Sequence, residues 1–372
     1  MDRPLALALL AAIGGPVAPR RRLLASTDDL PAAIADPVIW RTSGLTAAQS
    51  AALRTPPAEL LARLEHWLAD PAHAVIGCDD PDWPPGLMRV ASPPLALYVA
   101  GDPSLMWRPA VAVVGSRGAT PGGRQHAAEF AQALAQAGLV VGSGLAAGID
   151  AAAHAAALAA GGGTFAVLGT GPDVAYPAAN AALQREVAGR GALVSEHPPG
   201  TGPKREHFPS RNRLLAALCV ATLVIEAAER SGALITARLA ADAGREVFAL
   251  PGSVRNPLAR GCHRLIREGA ALVETPAELI EACAAPAALD ARQALARLDP
   301  AVACDSGGPS DDTTPAYPDH DILWRALGHD PTDMDELAER TGLTLPELSP
   351  MLLAMELDGR IARQHGRYVR LR

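Results

Sequence analysis

From Val111 onward the chain alternates between short apolar runs and helical stretches, and this alternation restricts the possible folds more than any other feature. The runs are Val111–Gly115, Leu139–Gly142, Thr164–Gly169, Ala192–Glu196, Ala221–Glu226 and Glu246–Pro251. Between and after them lie Gly122–Gln136, Ile149–Ala160, Ala179–Ala188, Ser210–Leu218, Ser231–Ala243 and Cys262–Glu268. Strands that are apolar on both faces and separated by helices predict a parallel sheet covered by helices on both sides, an α/β fold. In such a sheet ligands sit outside the carboxyl ends of the strands. The turns Gly115-Ser116-Arg117, Ser143-Gly144 and Pro251-Gly252-Ser253 are therefore expected on one rim.

Two of these turns carry chemistry. Gly115-Ser116-Arg117 closes one apolar run, and Gly142-Ser143-Gly144-Leu145-Ala146-Ala147-Gly148-Ile149-Asp150 closes the next. Both lead into helical sequence, where unpaired backbone N–H groups attract phosphate. Arg117 adds a permanent charge with a planar fork of donors suited to phosphate oxygens. The competing structural reading pairs that arginine with a carboxylate at the strand end. The anion reading fits better, because serine and arginine fall where the rim must be.

The densest positive charge follows in Lys204-Arg205-Glu206-His207-Phe208-Pro209-Ser210-Arg211-Asn212-Arg213. An aromatic ring among cations suits single-stranded nucleic acid, with charge on the phosphates and a base on the ring. Phe208 reads equally well as a core residue, and Ser210 as a helix cap. Ser231 and Gly232 open another helix after a strand and offer further anion-facing N–H groups, or a plain N-cap. Asp150 and His154 share a helix face, and a capping aspartate paired with the histidine is preferred to a metal or acid–base pair. Glu226 has the chemistry of a base but no partner that would make a catalytic pair. No catalytic residue, metal site or cofactor is expected.

The 372 residues carry a net charge of −7, which excludes a wholly basic nucleic-acid-binding surface and leaves a local patch. The five cysteines, Cys78, Cys219, Cys262, Cys283 and Cys304, form no CxxC pair, which fits a reducing, cytoplasmic setting. The apolar run Leu5–Ile13 reads as a buried helix rather than a signal peptide, and no stretch is suited to cross a bilayer.

The flanks predict further units. Residues 1–70 read as short helices with breaks. Ile13-Gly14-Gly15-Pro16 and Arg20-Arg21-Arg22 loosely suggest a helix–hairpin–helix, although a small bundle with a solvated arginine face accounts for them better. Residues 71–110 are proline-rich with one or two strands, and they open a core expected to run over 71–283. Residues 284–317 read as a flexible linker. The tail, 318–372, has helices at Asp333–Thr341 and Leu345–Leu357 and a hairpin of Ile361–Arg363 and Tyr368–Leu371, the pattern of a winged helix. Its second helix holds Glu347 and Glu356 and no Lys or Arg, so it is poorly suited to duplex DNA.

Taken in order, these motifs resemble the DNA processing protein A (DprA, or Smf) family. The likeness runs through Ser92-Pro93-Pro94, Val113–Arg117, Ser143–Asp150, His154, Ala166–Gly169, Tyr176-Pro177, Ser195-Glu196, Phe208–Arg213, Ser231–Thr236 and Gly244–Gly252, covering about residues 80–280. The resemblance implies an extended Rossmann-like core between a helical, SAM or helix–hairpin–helix-like N-terminal domain and a C-terminal winged helix. It implies a cytoplasmic homodimer that binds single-stranded DNA during natural transformation, protects it and loads RecA recombinase. It also implies that Arg117 and Arg205, or the adjacent Lys204, contact the strand near Phe208. The site expected from residues and resemblance together is Gly115, Ser116, Arg117, Ser143, Gly144, Lys204, Arg205, Phe208, Arg211, Asn212, Arg213, Ser231 and Gly232.

The rival reading is an enzyme similar to nucleotide phosphoribohydrolases, whose PGGxGTxxE loop holds phosphate and supplies a glutamate. Pro121-Gly122-Gly123-Arg124 breaks that motif, and Gly161-Gly162-Gly163-Thr164 lacks the glutamate at the required offset. A transcription factor acting through the winged helix is disfavoured by its acidic second helix.

Overall fold

The computed structural model describes residues 1–298 apart from residue 91, and in the tail residues 323, 326–327, 332–344, 348, 351–352, 355, 361–364 and 367–370. Two compact units result, Met1–Pro300 and Ala301–Arg372.

The first unit is built on one nine-stranded sheet in the order β1-β2-β6-β5-β4-β3-β7-β8-β9. Its strands are β1 His73–Gly77, β2 Ala96–Gly101, β3 Ala110–Gly115, β4 Val140–Ser143, β5 Thr164–Leu168, β6 Ala192–Ser195, β7 Ala221–Ile225, β8 Glu246–Ala249 and β9 Ala271–Leu272. Strands β3 to β9 pair in parallel, whereas β2 runs antiparallel to both β6 and β1. The parallel core matches the expected runs. The short β9 was not foreseen, because two residues carry no readable periodicity.

Alternation along β3 shows how the sheet sorts its two faces. Val111 and Val113 pack with α7 (Pro121–Gln136), α8 (Ile149–Ala159) and α13 (Pro276–Leu298). Ala112 and Val114 pack on the other side with α10 (His207–Leu218), α11 (Ala233–Asp242) and α12 (Arg260–Arg267). The remaining helix of the core is α9, Ala181–Arg190.

Residues 1–70 form helices α1 Arg3–Ala12, α2 Val17–Ala25, α3 Leu30–Ala33, α4 Pro37–Ser43, α5 Ala47–Arg54 and α6 Ala58–Leu68. They share one apolar cluster with Tyr98, Ala166, Leu168 and Leu193 of the sheet. Leu5 through Leu10 are all buried. Tyr98, wholly buried, donates its hydroxyl to the Ala8 carbonyl at 2.8 Å.

The arginine cluster is only in part a solvated face: Arg20 is buried and Arg21 half-buried, while Arg22 is exposed. Arg20 donates to the carbonyls of Leu10, Ala11, Gly15 and Pro16, which closes the open end of α1. Arg21 donates to Pro93 and Pro94, and Arg22 to Ser43. A fork of five donors satisfies several converging carbonyls, so these cations serve the fold.

Helix α13 runs through residues 284–298, where the sequence placed the start of a linker. Residues 299–317 lie outside the described residues. Cys78, Cys219, Cys262 and Cys283 are free thiols, and Cys304 is outside the described set. No described helix is long and apolar enough to cross a membrane.

In the second unit, α14 (Met334–Thr341) starts with Asp333 accepting from the Glu336 N–H and ends at Gly342 in the left-handed region. Strands β10 (Ile361–Gln364) and β11 (Arg367–Arg370) form an antiparallel hairpin, and Thr332 bridges to Tyr368. Leu348, Met351, Leu352 and Met355 are helical, and Leu348, Leu352 and Met355 are buried with Leu337 and Ile361. These elements make the expected winged helix. Glu347 and Glu356 lie outside the described residues.

Candidate functional site

The strand order reverses between β3 and β7, so the connections leaving their carboxyl ends run in opposite directions and leave a crevice beyond the paired strands. Gly115 ends β3 there. A Cβ on it would collide with the Ile225 carbonyl and with Ile149, so only glycine lets the strands and α8 close together. Beyond it, the Ser116 N–H donates to the Glu226 carbonyl at 2.6 Å, and the Ser116 carbonyl accepts from the Ile149 N–H at 3.2 Å.

Glu226 then fixes the rest of the loop. Its carboxylate accepts from the Thr120 N–H at 2.7 Å, the Thr120 hydroxyl at 2.6 Å and Asn256 Nδ2 at 3.2 Å. Thr120 in turn caps α7 by accepting from the Gly123 N–H at 2.9 Å. Glu226 holds this position at φ 51°, a region costly for a side chain of its size. Its oxygens are engaged with the loop, which leaves it ill placed to act as a base.

The crevice is a cavity of about 520 Å³. Gly115, Ser116, Arg117, Phe208, Arg211, Asn212, Ser231 and Gly232 line it, joined by Asp150, Arg230 and Thr236. Arg117 is exposed, and among the described residues it has no carboxylate partner. Its guanidinium carbon lies 5.6 Å from the centroid of the Phe208 ring. That cation–π contact orients the charge without neutralising it.

Other residues expected to touch phosphate are committed elsewhere. Arg211 is buried and donates Nη1 to the Gly144 carbonyl at 2.7 Å, Nη1 also to the Val167 carbonyl, and Nε to Asn212 Oδ1 at 3.0 Å. Asp150, also buried, accepts from the Gly144 and Ala146 N–H groups at 3.1 and 3.3 Å. The Gly144 amide is therefore not open to an anion. Ser143 is fully buried and donates to the Val113 carbonyl at 2.6 Å. Arg213 is ion-paired with Glu196, which also accepts from the Ser210 hydroxyl at 2.7 Å. Ser210 thus ties down Glu196 instead of capping α10. Ser231 accepts from the Ala233 N–H at 3.3 Å at the start of α11. Lys204 and Arg205 are exposed on the turn before α10 and are not part of the cavity wall.

Burial governs the titration of the inner groups. It pushes the Asp150 carboxyl up, while Arg211 and the two loop amides pull it back. It lowers Arg211 to about 10, opposed by Asp150 and assisted by nearby Arg117, so the guanidinium stays charged at neutral pH. His154 falls to about 3, through burial first and Arg211 second. His154 bonds through Nδ1 to the Thr164 hydroxyl at 2.7 Å, where pairing with Asp150 was expected. His197 falls to about 4, through burial and then His207, whose ring stacks on it at 3.8 Å.

The structure brings eight of the thirteen expected residues to one cavity, and it engages Ser143, Gly144, Arg211 and Arg213 in internal bonds. Alternation marks Arg211 and Arg213 as basic and leaves open which way they point. The locking role of Glu226 was missed for lack of a local signal, since its partner Thr120 is 106 positions away. Arg230 had a signal, its place beside Ser231-Gly232 after a strand.

Two family models match the chain. One is the DNA recombination-mediator protein A model over residues 74–284, and the other the DprA winged helix domain over 308–367. Protein Smf of Escherichia coli (strain K12) is 39% identical over 338 residues, 91% of this chain and 88% of that protein. The solved structure of DNA processing protein A from Streptococcus pneumoniae superposes with TM-score 0.63 at 34% identity, over 76% of this chain and 98% of that one. That from Helicobacter pylori, described for its single-stranded DNA binding mode, gives TM-score 0.52 at 30% identity, over 56% of this chain and 94% of that one.

Proposed function

The chain belongs to the DNA recombination-mediator protein A family, and from that premise we propose that the crevice between β3 and β7 holds a single DNA strand without altering it chemically. One observation carries this reading: an exposed Arg117, with no carboxylate partner among the described residues, stands over the Phe208 ring at the mouth of a cavity of about 520 Å³. A phosphate meets a fixed charge there, beside aromatic side chains of the kind that single-strand sites use. Arg230 adds a second exposed cation to the wall, and Lys204 and Arg205 offer charge beside the start of α10. The net charge of −7 disfavours attraction of a polyanion to the molecule as a whole, so the reading depends on a local group of cations.

In the cell this strand is incoming DNA of natural transformation, which the protein, as a cytoplasmic homodimer, shields and presents to RecA recombinase. The single-stranded DNA binding mode described for the Helicobacter pylori relative supports the holding of a single strand. The phosphoribohydrolase-like alternative has less support, because Asp150, the carboxylate in the crevice wall, is buried and bonded to the Gly144 and Ala146 amides, and Glu226 is engaged by Thr120 and Asn256.

The reading is tested by titrating labelled oligo-dT and a blunt duplex of equal length with the full chain, with nucleotide hydrolysis followed in the same tubes. Tight binding of the single strand, weaker binding of the duplex and no hydrolysis are expected. Equal affinities, or turnover of nucleotide, would overturn it.

A further inference from the structure

Phe208 is not an open platform. Its ring packs against Gly169, where an added Cβ would meet Phe208 Cδ1 at 3.0 Å. It lies 5.2 Å from the Tyr176 ring at a 39° tilt, and Arg117 stands over it. A ring with three such neighbours orients them better than it receives a base.

Tyr176 has the opposite character. It is 40% exposed and is the one aromatic among the large exposed hydrophobic residues described. The turn that carries it is fastened from several sides. Gly171 N–H donates to the Thr201 carbonyl at 2.9 Å, and Gln184 Nε2 to the Pro172 carbonyl at 2.9 Å. The Thr170 hydroxyl donates to the Val174 carbonyl at 2.8 Å, and Asn180 Nδ2 to the Leu145 carbonyl at 2.8 Å. The exposed ring is thus held in place before any ligand arrives, which lowers the ordering cost of stacking.

We propose that Tyr176 is the base-stacking platform of the site, with Phe208 as the spacer that sets the ring next to the phosphate-binding charge of Arg117. The proposal deepens the single-strand reading and rests on it. Stacking on a phenol ring is indifferent to base identity, since every base presents a π-face. It also needs no hydroxyl, because a phenyl ring offers the same face.

The test compares wild type, Tyr176→Ala, Tyr176→Leu and Tyr176→Phe on oligo-dT, on an oligonucleotide of abasic residues, and on one carrying 2-aminopurine. The Ala and Leu variants should bind oligo-dT roughly tenfold more weakly, within the range seen when stacking aromatics are truncated. Tyr176→Phe should match wild type. The salt dependence should be unchanged in all four, since a neutral ring releases no counterions. On the abasic strand the variants and wild type should converge, and 2-aminopurine should be quenched only where a ring is present. Leu retains apolar packing on Phe208, so a loss shared by Ala and Leu but absent in Phe reports the π-face and not the fold. If wild type binds oligo-dT and the Leu variant binds equally well, or if the loss persists on the abasic strand, the assignment of Tyr176 is overturned while the single-strand reading stands. Failure of wild type to bind any single strand overturns both.

Discussion

Arg211 Nη1 donates to the carbonyl of Gly144 across 2.7 Å, joining α10 to the loop that follows β4 from within the protein. A cation that sequence alone would hand to DNA is here a strut of the site. It stands near Asp150, whose Oδ2 holds the same loop by two of its amides.

Arg211→Met should therefore act on folding before it acts on binding. The change leaves the Gly144 and Val167 carbonyls and Asn212 Oδ1 without their donor, and buried groups left unsatisfied cost about 1–3 kcal/mol. Thermal or urea melts should show a loss of that order, and adding Asp150→Asn should recover part of it, as expected of coupled neighbours. A variant that melts like wild type would return Arg211 to the list of direct phosphate ligands.

Glu226→Ala tests the lock on the turn after β3. It strips the acceptor from the Thr120 amide and hydroxyl, and unsatisfied groups of this kind cost about 1–3 kcal/mol. The melt should fall accordingly, and single-strand affinity should weaken several-fold as Arg117 loses its fixed base. Unchanged stability and affinity would mean that the turn holds itself.

The parallel sheet was legible because each buried strand is a continuous apolar run between helices, and the rim followed from the glycine turns at the strand ends. The roles of the cations were not legible. Arg211 and Arg213 lie two apart on α10, and their different fates depend on Gly144, Val167 and Glu196, which only the folded chain brings near. The same holds for Arg20, whose carbonyl partners on α1 become visible once α2 turns back. Composition reports charge, and tertiary contact decides which charge remains available.

His197 supplies a pH signature. Its folded value of about 4 lies below the ordinary imidazole range near 6.5, through burial and the stacked His207, with Lys204 and Arg213 adding to the effect and Glu196 opposing it. The unfolded chain therefore takes up a proton that the native state refuses. Stability is present above about pH 6.5 and is lost as pH falls toward 4. His154 acts in the same sense, and the raised Asp150 in the opposite one. Both remain in a His197→Phe variant, which should lose less stability than wild type between pH 7 and pH 5 in parallel melts. Superimposable pH profiles would contradict the assignment.

Arg117 is the proposed strand-holding charge, and the most direct measurement of that role is the salt dependence of oligo-dT binding by wild type and Arg117→Glu. Wild type should lose affinity with salt at a slope near ~0.7 per phosphate neutralised. Arg117→Glu should show binding that is lost or too weak to titrate, with an unchanged circular-dichroism melt. Wild-type affinity and wild-type slope in an intact Arg117→Glu protein would contradict the claim.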